Sequence, residues 1–237
     1  MGNTVINILE QYLEWENVKQ EKGCSDALRL KYDNDAKYYL EKGYSKGKAL
    51  HADTIISFWT IYKSLLKKEA NWHSYKTIES LKCLLCQIQS KHKNDYTAKI
   101  IEINDKLDDF SEIIYTEGNY MLLPDGQRRL NNVRYMNFQD RIDLTLFHSF
   151  SDGKLSRFFK NDNSLCEWIR EEKLASLFKN REIIKENITV FVNNEKSITA
   201  MNSDEIYAYV NKAKSFILER SKEISNNANT SNLKNSK

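Results

Sequence analysis

One proline and seven glycines are spread over 237 residues, and this scarcity of backbone breakers is the strongest constraint on how the chain folds. Proline fixes φ and removes a donor, and glycine opens the left-handed backbone, so both punctuate turn-rich sandwiches and barrels. A chain with so few of them, 41% of it hydrophobic, suits long helices. The expected fold is mainly α: a single irregular helical domain with a small β hairpin or short strands. The length allows one large core or two small ones, and the expectation is one domain over residues 1–225 followed by a disordered tail at 226–237. The 36 basic and 33 acidic residues leave a net charge of +3, too small to imply nucleic acid, so any basic patch must be local.

Apolar periodicity places the helices. Val5, Ile8, Leu9, Tyr12 and Leu13 recur at helical spacing and open the chain with an amphipathic helix. A poorer one falls over 24–43. The stretch DTIISFWTIYKSLLKK is apolar on nearly every side, with Asp53 placed to cap it and lysines at its end, and is the candidate for the central buried helix. Two more helices are expected at 74–92 and 95–114, then others at 138–150, 153–160 and 164–180, the last capped by Ser164. The run ITVFVNNEKSITAM reads as two short β-rich pieces joined by a polar turn, hence the hairpin. The last helix is the clearest. Asn202 and Glu205 form a capping box, and Ile206, Tyr209, Val210, Ala213, Phe216, Ile217 and Ile224 make one stripe.

Between these helices, residues 116–137 break the pattern with Gly118, Pro124 and Asp125-Gly126, and carry Arg128, Arg129, Arg134 and Tyr135 among asparagines. Such side chains suit phosphate contact or base stacking, although anchoring the loop is the preferred reading. The helix that follows supplies their partner. On a wheel, Ile142, Leu144, Leu146, Phe147 and Phe150 face the core, and Asp143 falls in the middle of that arc. An inward carboxylate must be paired, so Asp143 is expected to clamp the loop through Arg128, Arg129 or Arg134.

The opposite, polar sector of the same helix holds Arg141, Thr145 and His148. The spacing R-x6-H is that of metal-independent RNA-cleaving helical proteins, in which a near-neutral histidine exchanges protons, an arginine stabilises phosphate charge and two copies meet in a dimer. Arg141 and His148 are therefore the candidate catalytic pair of an alternative reading, a homodimeric endoribonuclease. Against it, Ile142 stands where that superfamily generally has a polar residue, and a solvated face is the preferred account.

Other chemistry is not supported. Cys83 and Cys86 form a C-x2-C, but His92 projects from another side of the same helix and no second pair completes four ligands, so structural thiols are expected and no metal. There is no glycine-rich phosphate loop, G-x-S-x-G elbow or H-E-x-x-H, and no cofactor is expected. No apolar run approaches the roughly 20 residues that span a bilayer, and the N-terminal segment carries glutamates where a signal peptide would want cations. A cytoplasmic protein with reduced thiols and no membrane partner is the expectation.

The segments HADTIISFWTIYKSLLKK, IYTEGNYMLLP, RLNNVRYMNFQDRIDLTLFH and FILERSKEI occur in an order that resembles an uncharacterised bacterial family, domain-of-unknown-function family 6994, over residues 32–224. GNYMLLP and DRIDLTL are the most specific of them. The resemblance implies a one-domain cytosolic protein of bacteria or phages and transfers no activity. It also implies similarity through Asp140, Arg141 and Asp143 without a histidine at position 148, a further point against the ribonuclease. The function expected is thus a non-enzymatic binding protein, linked to mobile elements or phage defence, that engages a macromolecular or small ligand through Arg128, Arg129, Arg134, Tyr135 and Asp143.

Overall fold

The structure, a computed structural model, describes residues 8–22, 52–69, 74–90, 95–114, 116–119, 142–152, 159, 161–191 and 198–234. Among them are seven α-helices: α1 (Ile8–Lys22), α2 (Ala52–Glu69), α3 (Ile78–Gln89), α4 (Asp95–Ser111), α5 (Ile142–Asp152), α6 (Asp162–Glu171) and α7 (Ser203–Lys234). The fold is mainly α, as the scarcity of breakers requires. The helices expected at 24–43 and 153–160 fall on residues outside this set, apart from Phe159. These residues group into two compact units, Met1–Glu112 with Lys196–Tyr207, and Ile113–Glu195 with Ala208–Lys237.

The first unit is built around α2. Ile55, Phe58, Ile61, Tyr62, Leu65 and Leu66 are inaccessible to solvent, each contributing roughly 1.5–3 kcal/mol of burial. α1 packs against α2, α3 and α4, and α2 also packs against α4. Tyr12 of α1 stacks on Trp59 of α2 with ring centroids 3.9 Å apart, and Phe58 meets Phe110 of α4 at 5.9 Å. α2 begins at Ala52, so Asp53 lies inside the first turn rather than ahead of it as its cap. α3 is capped by Thr77, whose hydroxyl accepts the Ser80 N–H at 3.2 Å while the Ser80 hydroxyl accepts the Thr77 N–H at 3.0 Å.

In the second unit, α5 buries Ile142, Leu144 and Leu146 of the arc assigned from the wheel, while Phe147 and Phe150 are half-buried. Ser164 is not the cap of α6. Asn161 is, its Oδ1 accepting the Ser164 N–H at 3.0 Å, with Ser164 reciprocating as the third helical residue. The helix then stops at Glu171 instead of continuing to 180. Lys173 enters the left-handed region with φ 58°, and the N–H groups of Lys173 and Leu174 turn back to Arg170 O and Ile169 O. Those two bonds are the Schellman termination, whose left-handed position usually holds glycine. Short 3-10 turns at Ala175–Leu177 and Lys179–Arg181 follow. Asn180 and Arg181 have φ 55° and 58°, and Glu182 N–H bonds to Lys179 O, the geometry of a turn with two left-handed central residues. A non-glycine residue in this region costs roughly 1 kcal/mol.

The expected hairpin is absent among the described residues. Ile188 forms an isolated antiparallel bridge back to Phe178, Thr189 N–H bonds to Leu177 O at 2.7 Å, and Ile198–Ala200 is a 3-10 turn. The start of the β-branched run is held by the segment before it, and its end is a 3-10 turn. In α7 the capping box forms as read: Asn202 Oδ1 accepts the Glu205 N–H, and Glu205 Oε2 accepts the Asn202 N–H, both at 2.9 Å. Ile206, Tyr209, Val210, Ala213, Phe216 and Ile217 are buried, while Ile224 is half-buried. The helix continues to Lys234, through most of the stretch expected as a tail.

Candidate functional site

Arg128, Arg129, Arg134, Tyr135 and Arg141 lie outside the described residues, as does the side chain of His148, whose backbone belongs to α5. Asp143 is described and has no solvent exposure. Its Oδ2 accepts the Phe191 N–H at 2.8 Å, and the Phe191 ring packs on Phe216 and Tyr209 at 6.0 and 6.1 Å. A buried carboxylate needs donors, and a main-chain N–H supplies one here. This main-chain donor was invisible in sequence, and the expected clamp from Arg128, Arg129 or Arg134 falls on residues outside those described.

Across the other flank of the 120–141 segment stands Arg220, a residue the sequence reading passed over. It occupies the α7 stripe one turn beyond Phe216 and Ile217 and is 2% exposed. Its Nε donates to Glu172 O at 2.6 Å, Nη2 to Glu172 Oε2 at 2.9 Å, and Nη1 to the carbonyls of Glu117 and Gly118 at 2.7 and 3.0 Å. Burial pushes the Glu172 carboxyl up despite the guanidinium beside it, and burial pulls the Arg220 guanidinium down despite Glu172. Desolvation outweighs attraction for both, so the arrangement serves to fix backbone more than to gain Coulomb energy.

The backbone it fixes is the 3-10 turn Glu117–Asn119. Gly118 N–H donates to Ser221 Oγ at 3.1 Å, and Asn119 Nδ2 donates to Ile114 O at 2.7 Å. A Cβ on residue 118 would collide with the Ile217 carbonyl oxygen and Ser221 Oγ, which explains glycine at this point of closest approach. A charged residue at a stripe position of α7 was the available signal for Arg220.

A second buried polar group lies in the first unit. Asp108 of α4 is 3% exposed, and its oxygens accept the Ile8 N–H at 3.0 Å and Asn104 Nδ2 at 2.8 Å. Burial raises its carboxyl to about 7 against the opposing pull of those two bonds, with Asp105 and Asp109 adding to the rise. Asn104 Oδ1 and the Tyr62 hydroxyl are buried with no hydrogen-bond partner among the described residues.

Cys83 and Cys86 are exposed on α3 rather than packed as structural thiols, and Cys166 is half-buried. Among the described residues no group of three His, Cys, Asp or Glu side chains could hold a metal ion, and no described helix is long and apolar enough to cross a membrane. Comparison with protein-family models, curated proteins and solved structures finds no match to this chain.

Proposed function

We propose that the chain is a non-enzymatic binding protein whose 116–137 segment engages a macromolecular or small ligand through Arg128, Arg129, Arg134 and Tyr135, with Asp143 at the base of the site. What supports this reading is the double anchoring of the segment's flanks. Gly118 and Asn119 near its start are buried beside the Arg220 clamp, and Ile142, Asp143 and Leu144 after it are buried, with Asp143 on the Phe191 N–H. Fixed flanks lower the conformational cost of holding side chains against a ligand, and exposed connections on a rigid scaffold commonly carry binding. Arginine supplies planar donors for carboxylate or phosphate, and tyrosine an aromatic face. Membership of family 6994, a cytosolic setting in bacteria and a part in mobile elements or phage defence belong to the same proposal.

Wild-type and R128A/R129A/R134A proteins, matched by circular dichroism and thermal unfolding, are to be immobilised and offered a cross-linked bacterial lysate and a single-stranded RNA pool. The wild type should hold a defined partner that the triple variant loses. Identical retained sets overturn the reading. The rival, a dimeric metal-independent endoribonuclease, rests on the R-x6-H spacing of Arg141 and His148 in the sequence.

A further inference from the structure

At the C-terminal end of α6 the second unit forms an open cleft of about 360 Å³ lined by Arg170, Lys173, Ala175, Arg181, Glu223 and Asn226. Its lining charges are three cations against one carboxylate, and Glu219 Oε1 stands 3.7 Å from Arg181 Nη2. Lys173 Nζ reaches the Arg170 carbonyl at 3.3 Å, and Arg181 Nη2 reaches Glu223 Oε1 at 2.6 Å while 60% of the Arg181 side chain stays exposed. Cations at a helix C-terminus are favoured by the helix dipole, and that accounts for Arg170. It accounts in part for Lys173, through the Arg170 carbonyl, and not for Arg181.

Lys173 and Arg181 both stand where the backbone favours glycine. Lys173 holds the left-handed position of the Schellman termination, φ 58°, and Arg181 the second central position of the 179–182 turn, also φ 58°. Glycine would fit either backbone without strain. Two independent turns therefore each carry a side chain at a conformational cost, both side chains are basic, and both open into the same cleft. Backbone strain retained at clustered positions marks a site where the side chain itself is required. A purely structural use of Arg181 through Glu223 would leave the left-handed backbone at Lys173 unexplained.

We propose that this cleft is an anion site that takes the phosphate group of a small phosphorylated ligand, with Arg170, Lys173 and Arg181 as its donors. Guanidinium forks match phosphate oxygens in pairs, and the ammonium adds a point charge. The volume lies at the small end of ligand sites, which suits a single phosphorylated group more than a polymer. Glu223 competes with the anion for Arg181 and sets how tightly it is held. The proposal does not rest on the role of the 116–137 segment.

The experiment is a titration of the full chain, at constant ionic strength, with inorganic phosphate, pyrophosphate and adenosine monophosphate, read by calorimetry and by thermal shift. Chloride serves as the reference anion. Saturable binding of a phosphate species is expected, weakened about tenfold by Lys173→Gly and again by Arg181→Gly, and tightened by Glu223→Gln. Both glycine variants should unfold at temperatures no lower than the wild type, because they relieve the left-handed strain. Tightest binding of inorganic phosphate would assign the site to the free ion, and tighter binding of adenosine monophosphate to a phosphorylated metabolite. Non-saturable binding that chloride reproduces, or affinities unchanged in both glycine variants, overturns the proposal.

Discussion

The Arg220 guanidinium lies 2.9 Å from the Glu172 carboxylate and also bonds three backbone carbonyls, from Glu172, Glu117 and Gly118. Removing the guanidinium leaves those carbonyls and the carboxylate facing a buried gap. Arg220→Met should lower the unfolding free energy by about 3–5 kcal/mol in urea. Arg220→Lys should recover little, because one ammonium cannot serve acceptors in three directions. A lysine variant as stable as the wild type would show that charge alone suffices.

Gly118 meets α7 at a point with no room for a methyl group. The obstructing Ile217 oxygen belongs to helix backbone and cannot turn aside as a side chain would. Gly118→Ala should therefore cost about 2 kcal/mol or more, seen as a fall in the thermal midpoint. Combining it with Ser221→Ala should recover only part of the loss, since the carbonyl stays in place. Full recovery in the double variant would mean that the hydroxyl was the sole obstacle.

Local patterns were legible in the sequence, and long-range partners were not. The α7 capping box and stripe, the buried α2 and the inward Asp143 follow from spacings within one or two turns. The hairpin failed because Ile188 bonds back to Phe178, and a β-branched run says nothing of where its partner lies. Likewise α6 ends on a Schellman turn that carries lysine in place of the glycine by which sequence would mark it. For the site, burial of Asp143 could be read from its arc, but the main-chain N–H of Phe191 that donates to it lies 48 residues away, which no side-chain pattern reports. The Arg220 contacts span 48 to 103 residues and are tertiary in the same sense.

Asp108 gives the first unit a pH dependence. Its carboxyl titrates at about 7 in the folded chain, against about 3.9 when unfolded, so the folded state binds the extra proton between those values. Stability from this group is full below about pH 4 and is lost as pH rises to about 7, by about 2–4 kcal/mol. Asp108→Asn keeps an acceptor for the Ile8 N–H, and once the Asn104 amide turns over, the new amide can donate to Asn104 Oδ1, which has no partner among the described residues. Chemical denaturation from pH 4 to 8 should show the wild type weakening relative to this variant. Parallel curves for the two proteins would refute the assignment.

The histidine of the R-x6-H spacing offers a direct decision between the two functional readings. Cleavage of RNA without metal would need His148 to exchange protons near neutral pH and Arg141 to meet the phosphate, with two copies of the pair brought together in a dimer. A binding protein needs neither. Wild-type and His148→Ala proteins, incubated with a mixed RNA pool in EDTA, should therefore give indistinguishable cleavage, whatever mass light scattering reports. EDTA-resistant cleavage that disappears in His148→Ala, from a protein of dimeric mass, would instead make α5 the wall of a catalytic site and would reduce the 116–137 segment to its substrate-binding rim.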